Sequence, residues 1–105
     1  MNSKQKGKVG ERELAEYLRT KGFASARRGQ QFKGTNDSPD VVCQELPYHI
    51  ECKRVEKLNL RQAVSQVAKD SGGTPWVVFH RWNHGDWLVT VSGDFFLELA
   101  KANPA

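Results

Sequence analysis

The sequence predicts an α/β protein in which a mixed β-sheet is flanked by helices. Three observations favour this fold class. Apolar residues recur at helical spacing in separate segments, short apolar runs bounded by turn-forming residues lie between them, and 105 residues are enough for one compact core. The predicted order of elements is α-β-β-β-α-β-β-α. We expect residues 1–7 to form a flexible basic tail and residues 8–105 to form a single domain.

Three helices are predicted from apolar stripes. The first begins at Lys8 and ends before Gly22, the second covers Leu60–Asp70, and the third begins at Ser92. The apolar positions that define the stripes are Leu14, Ala15 and Leu18, then Leu60, Ala63, Val64, Val67 and Ala68, and finally Phe95, Phe96, Leu99 and Ala100.

Five strands are predicted from short runs rich in β-branched and aromatic residues. They cover residues 23–28, 40–46, 48–54, 75–81 and 87–91. Because Pro47 separates the second run from the third, we expect these two strands to form an antiparallel hairpin. Residues 29–39 are rich in glycine and small polar residues, which predicts a polar loop.

The charge is concentrated near the beginning of the chain. The formal net charge is +4, and residues 1–34 contain nine basic and three acidic residues. Such a basic segment favours a polyanionic partner, although a solubilising surface has the same composition. The two cysteines, Cys43 and Cys52, form no CxxC pair, so we expect reduced thiols in a cytoplasmic protein. No apolar run is long enough to cross a membrane and no secretory signal is visible, so we expect no membrane contact.

Glu11 lies on the same helical stripe as Leu14, Ala15 and Leu18. A carboxylate that faces a core is costly unless another group compensates it. Two interpretations stay open for this residue. Either it belongs to a site at the core edge, or it lies at the start of the helix, where a negative charge suits the helix dipole.

Three further polar residues lie on the predicted hairpin. Asp40 follows Pro39 at the start of one strand, and Glu51 and Lys53 lie two residues apart on its partner, so that they share one face. Taken alone, Asp40 is compatible with a turn and the other two with an exposed ion pair. Taken together, the three residues form the pattern Pro-Asp, ten residues, Glu-x-Lys, and the hairpin allows the carboxylates to meet.

These residue types suit phosphodiester hydrolysis. A hard cation binds phosphate and neutralises the charge that develops on it, and Mg²⁺ prefers oxygen ligands. Asp40 and Glu51 supply two carboxylates, and the backbone carbonyl of Cys52 can supply a third oxygen. Glu11 could hold a metal-bound water or a second ion. Lys53 could orient the attacking water, stabilise hydroxide or neutralise the phosphate.

The motif resembles the PD-(D/E)xK nuclease superfamily, and in particular small phage-type endonucleases and archaeal-type Holliday junction resolvases. The segments that carry the resemblance are Gly10-Glu11-Arg12-Glu13-Leu14, Ser38-Pro39-Asp40-Val41-Val42 and His49-Ile50-Glu51-Cys52-Lys53-Arg54. It covers about residues 8–100 and implies a restriction-endonuclease-like core, with Asp40 and Glu51 as metal ligands, a catalytic Lys53 and an accessory Glu11. Gln66 falls where many members place a polar helix residue near the site.

The resemblance also implies a Mg²⁺-dependent, structure-selective DNA endonuclease, with Mn²⁺ able to substitute, that acts on four-way junctions as a homodimer. Trp82, Trp87, Phe95 and Phe96 could form a dimer interface or pack in the core. Basic residues near the motif are candidate DNA contacts: Lys4, Lys6, Lys8, Arg27, Arg28, Lys33, Arg54, Lys57 and Arg61. Two alternatives stay open, a nicking, flap or general endonuclease of the same fold and a non-catalytic nucleic-acid-binding module.

Overall fold

A computed structural model describes residues 3–29 and 38–103, which form three helices and one five-stranded sheet. In chain order the elements are α1 (Ser3–Thr20), β1 (Arg27–Arg28), β2 (Val41–Val42), β3 (His49–Arg54), α2 (Leu60–Asp70), β4 (Trp76–Arg81), β5 (Leu88–Thr90) and α3 (Gly93–Ala102). The predicted α/β class and element order are confirmed.

The sheet is mixed, and its strands are arranged in chain order. β3 and β4 are parallel and are joined by α2, whereas the other neighbouring strands are antiparallel. A parallel pair needs such a crossover, while β2 and β3 need only a short turn. This arrangement is that of a restriction-endonuclease-like core.

The core lies between α1 and one face of the sheet. Leu14 and Leu18 of α1 are almost fully buried and cluster with Val41 and Ile50 of β2 and β3. α2 buries two of its residues, Ala63 and Val67. α1 therefore packs mainly on β1, β2 and β3, and α2 packs mainly on β4.

Gly10 allows α1 to approach β3 closely. A Cβ atom at this position would lie 3.0 Å from the Cβ of Arg54 and 3.6 Å from the Sγ of Cys52. The first separation is shorter than ordinary van der Waals contact, so a larger residue would push the helix away from the strand. The glycine thus sets the position of its neighbour, Glu11, relative to the sheet.

Several predicted bounds are wrong. α1 begins at Ser3 rather than at Lys8, so the segment expected to be a tail is helical from Ser3 onward. The apolar stripe begins later than the helix because the first turns contain lysine and glutamine, which favour helix without contributing to a core. Met1 and Asn2 lie outside the described residues.

The strands are shorter than the apolar runs that predict them. Ala26 N–H donates to the Phe23 carbonyl, 3.1 Å, and this turn delays β1 to Arg27. Leu46 N–H donates to the Cys43 carbonyl, 3.1 Å, so the chain turns soon after β2. β5 is likewise only Leu88–Thr90. Hydrophobicity indicates where strands lie, but local turns decide where they end.

No helix in the described segments is both long enough and apolar enough to span a membrane.

Candidate active site

Asp40 lies at the start of β2 and is fixed against β3 by hydrogen bonds. Its N–H donates to the Ile50 carbonyl, 2.9 Å, and its carboxylate oxygen Oδ2 accepts from the Cys52 N–H, 2.9 Å. The carbonyl of Asp40 accepts from the N–H of Gly29, 2.8 Å. These bonds hold the carboxylate next to β3, as the predicted hairpin requires.

Glu51 extends from β3 and meets Asp40. Its carboxyl group hydrogen-bonds with the Asp40 side chain, and its Oε1 lies 2.9 Å from Nε2 of His49. Burial raises the pKa of Glu51 to about 9, and the hydrogen bond and negative charge of Asp40 act in the same direction. Two carboxyl groups in contact therefore share a partly dehydrated position, which favours a proton or a cation between them.

Lys53 lies on the same face of β3 as Glu51, because it is two residues further along the strand. Its positive charge opposes the rise in the pKa of Glu51, but burial and Asp40 have the larger effect. The structure thus brings together the acid, acid and lysine of the motif.

Cys52 lies between Glu51 and Lys53 in the sequence, and its side chain points to the opposite face of β3, toward α1. Burial raises the pKa of its thiol, which accordingly stays protonated. In an extended strand the N–H and C=O of one residue point to the same side. Since the Cys52 N–H points to Asp40, its carbonyl is also directed to the edge where Asp40 lies.

Glu11 approaches the pair from α1. Its side chain is only 16% exposed and lies 3.8 Å from Nη2 of Arg28. Burial raises the pKa of Glu11, the negative charge of Asp40 raises it further, and Arg28 opposes both. Glu11 is therefore a third acid at the same edge of the sheet. The alternative of a position at the helix start is wrong, because α1 begins at Ser3, more than two turns before Glu11.

Gln66 is exposed on α2, and its side-chain nitrogen donates to both carboxylate oxygens of Asp70, 3.0 Å each. It pairs with this acid rather than with Glu51 or Lys53. Asp70 itself is close enough for its charge to raise the pKa of Glu51. Asp70 was not predicted to lie near the site. The sequence indicates its position only in that Asp70 ends α2, the helix that leads into β4, which is parallel to β3.

His49 was not among the predicted site residues, although alternation along β3 places it on the face of Glu51 and Lys53. It is buried, at 6% exposure, and contacts Glu51 directly. A histidine two residues before Glu51, the second acid of the motif, on the same face of the predicted strand was the available signal.

The predicted DNA contacts have different surroundings. Lys8, Arg27, Lys57 and Arg61 are exposed, and Arg28 is half-buried beside Glu11. Arg54 is engaged within the protein, since its Nε donates to Glu13, 2.6 Å, and its Nη1 to Asn83, 2.9 Å. The side chains of Lys4 and Lys6, and the whole of Lys33, lie outside the described residues.

The donor set at this edge fits a hard divalent cation. Within residues 3–29 and 38–103, no three histidine, cysteine, aspartate or glutamate side chains form a group that could hold a metal ion by themselves. Asp40 and Glu51 provide two carboxylates, and the Cys52 carbonyl provides a backbone oxygen. Mg²⁺ keeps several of its own waters and uses one or two carboxylates, so a small oxygen set of this kind suits it better than a cage of side chains.

A family model described as archaeal Holliday junction resolvase (Hjc) matches residues 2–100. The match spans nearly the whole chain and includes Glu11, Asp40, Glu51 and Lys53. No curated protein and no solved structure matches the chain.

Proposed function

Because the chain belongs to the archaeal Holliday junction resolvase family, we propose that it is a Mg²⁺-dependent endonuclease that selectively cleaves four-way DNA junctions. The family supports a nuclease that acts on junction DNA. The metal dependence and the structure selectivity are our proposal. The observation that carries it is the 2.9 Å hydrogen bond from the Cys52 N–H to the Asp40 carboxylate, which holds this acid against β3 at the position between Glu51 and Lys53.

We assign the metal ligands to Asp40, Glu51 and the backbone carbonyl of Cys52, with Glu11 acting through water. A bound Mg²⁺ would stabilise negative charge on the phosphate, and Mn²⁺ is expected to substitute. The raised pKa of Glu51 supports this assignment, because a cation would relieve the repulsion between two neighbouring carboxylates.

Lys53 has a separate task in this proposal. It lies two residues beyond Glu51 on the same face of β3, where its ammonium group can orient the attacking water and offset the charge of the phosphate. Its long side chain allows either action without moving the backbone. The negative charge of Asp40 balances its positive charge when the Glu51 carboxyl group carries a proton.

DNA binding is proposed to depend on the exposed basic residues near the acids. Lys8, Arg27, Lys57 and Arg61 are free to contact phosphates, which position a duplex without reading its sequence. We therefore propose recognition of DNA shape. A strong preference for one linear duplex sequence would contradict it.

We also propose a homodimer, because two symmetric nicks need two sites. The exposed apolar side chains of α3 and β5 support this: Phe96 is 58% exposed, Leu97 56% and Val89 51%. α3 buries none of its residues in the described structure. Of the predicted interface residues, Trp87 packs against the core and Trp82 is exposed, so the former does not contribute.

Light scattering tests the dimer with Phe96→Asp and Leu97→Asp. We expect the wild-type protein at twice the monomer mass and the variants at the monomer mass. Ser65→Asp, on exposed α2 surface, is the control for added charge. A wild-type monomer at working concentration, with and without junction DNA, would refute the dimer.

Cleavage of a labelled four-way junction by Asp40→Asn, Glu51→Gln and Lys53→Ala tests the catalytic assignment. We expect Mg²⁺-dependent nicks from the wild type, none in EDTA, and a loss of cleavage with retained junction binding in each variant. Lys69→Ala removes an exposed lysine from α2 and should cleave normally. Wild-type binding without cleavage across metals and pH would instead favour a non-catalytic binding module.

A further inference from the structure

His49 is a buried histidine in direct contact with one of the proposed metal ligands. Its side chain is 7% exposed, and its Nε2 lies 2.9 Å from Oε1 of Glu51. The two residues share one face of β3, because side chains alternate along a strand. An imidazole inside a protein is costly to bury without such a polar partner.

The backbone of His49 is also fixed. Its N–H donates to the Pro75 carbonyl, 2.9 Å, at the start of the parallel ladder, and the residue is paired with Trp76 of β4. The backbone pairing therefore fixes the position of the His49 Cα atom, and the burial of the side chain limits rotation of the imidazole. The imidazole therefore limits the positions that the Glu51 carboxyl group can take.

The Glu51 carboxyl group has two different neighbours. Oε1 contacts His49, and the carboxyl group also hydrogen-bonds with Asp40. A contact on the histidine side restricts rotation of the carboxyl plane and directs the group to Asp40. Polar groups behind a ligand orient it in this way, and removal of such a group typically weakens metal affinity by about 10–100-fold.

We propose that His49 is a positioning residue that orients the Glu51 carboxylate for divalent-cation binding. This inference rests on the proposed function, since it takes Glu51 as a ligand. A purely structural hydrogen bond would also stabilise the fold, but its loss would leave cation affinity unchanged in a variant that still folds.

Calorimetric titration of the whole chain with Mn²⁺, without DNA, tests the proposal. We expect His49→Leu to bind Mn²⁺ about 10–100-fold more weakly than the wild type. His49→Gln, whose amide nitrogen can reach Glu51, should recover most of the affinity. His84→Asn, at an exposed turn whose positive φ asparagine tolerates, is the matched control and should bind as the wild type does. If His49→Leu does not fold, His49→Asn, which is too short to reach Glu51, replaces it.

The same titration separates the two possible failures. Wild-type affinity in folded His49→Leu or His49→Asn, with binding lost in Asp40→Asn, would overturn the role of His49 and leave the metal site intact. No Mn²⁺ binding by the wild-type protein would overturn the proposed metal site, and the role of His49 with it. Equal weakening in His49→Gln and His49→Leu would also count against positioning by a hydrogen bond.

Discussion

Replacing Glu51 by glutamine should stabilise the metal-free protein while abolishing its proposed activity. The substitution keeps the shape of the side chain and removes its charge. Burial and Asp40 raise the pKa of Glu51 from 4.5 to about 9, so the ionised form is unfavourable in the folded chain. The amide of a glutamine can still hydrogen-bond with Asp40 and His49.

The expected magnitude follows from linkage. The folded chain holds a proton on Glu51 that the unfolded chain releases, so the free energy of unfolding decreases as the pH rises from 4.5 to about 9. At about 1.36 kcal/mol for each pKa unit, the whole shift has an upper bound of about 6 kcal/mol. Since solvent at the site edge reduces this cost, we expect Glu51→Gln to be more stable by about 1–3 kcal/mol at pH 8.

Urea unfolding in EDTA at pH 5 and pH 8 measures the effect. The advantage of Glu51→Gln should be small at pH 5 and should increase toward pH 8. Glu98→Gln, at an exposed position on α3, should show no such increase. A variant no more stable than the wild type at pH 8, or an advantage independent of pH, would refute the argument from burial and the Asp40 charge.

Three other predictions follow from the described contacts and from the basic surface. Arg54→Ala should lower the free energy of unfolding by about 1 kcal/mol in urea, because it leaves Glu13 without its 2.6 Å partner; a neutral effect would contradict a structural role for this ion pair. Gly29→Ala should destabilise the protein by about 1–3 kcal/mol and reduce junction cleavage, because the added Cβ would collide with the Pro39 carbonyl beside Asp40; unchanged cleavage and stability would show that this close approach is unimportant. Junction affinity should fall steeply with added salt, as fluorescence anisotropy can measure, and a flat salt dependence would exclude binding through phosphates.

The sequence was sufficient to predict the class of fold because its periodicities are strong and consistent. The stripe of Leu14, Ala15 and Leu18 indicates a helix, and the apolar run of β4 indicates a strand because it is short, rich in β-branched and aromatic residues, and preceded by glycine and proline. The ends of β1 and β2 could not be predicted, because they depend on hydrogen bonds within single turns. The start of α1 could not be predicted either, because its first turns contain no apolar stripe and helix propensity alone leaves no periodic signal.

The main acids of the site were predictable because the spacing of residues along the sequence and the alternation of side chains along a strand decide which residues share a face. Glu51 and Lys53 could be placed on one side of β3 from their spacing alone. The contacts of Gln66 and Arg54 were not predictable, since Asp70, Glu13 and Asn83 reach them only after the elements have packed.

The most direct test of the proposed function is a single-turnover cleavage experiment on a labelled four-way junction and a linear duplex of the same sequence, with Mg²⁺ and the wild-type protein. We predict paired nicks in opposite strands near the junction centre, at a much higher rate than any cut in the duplex. Equal rates on the two substrates would contradict junction selectivity, and binding without cleavage would contradict the assignment of Asp40, Glu51 and Lys53 as a nuclease site.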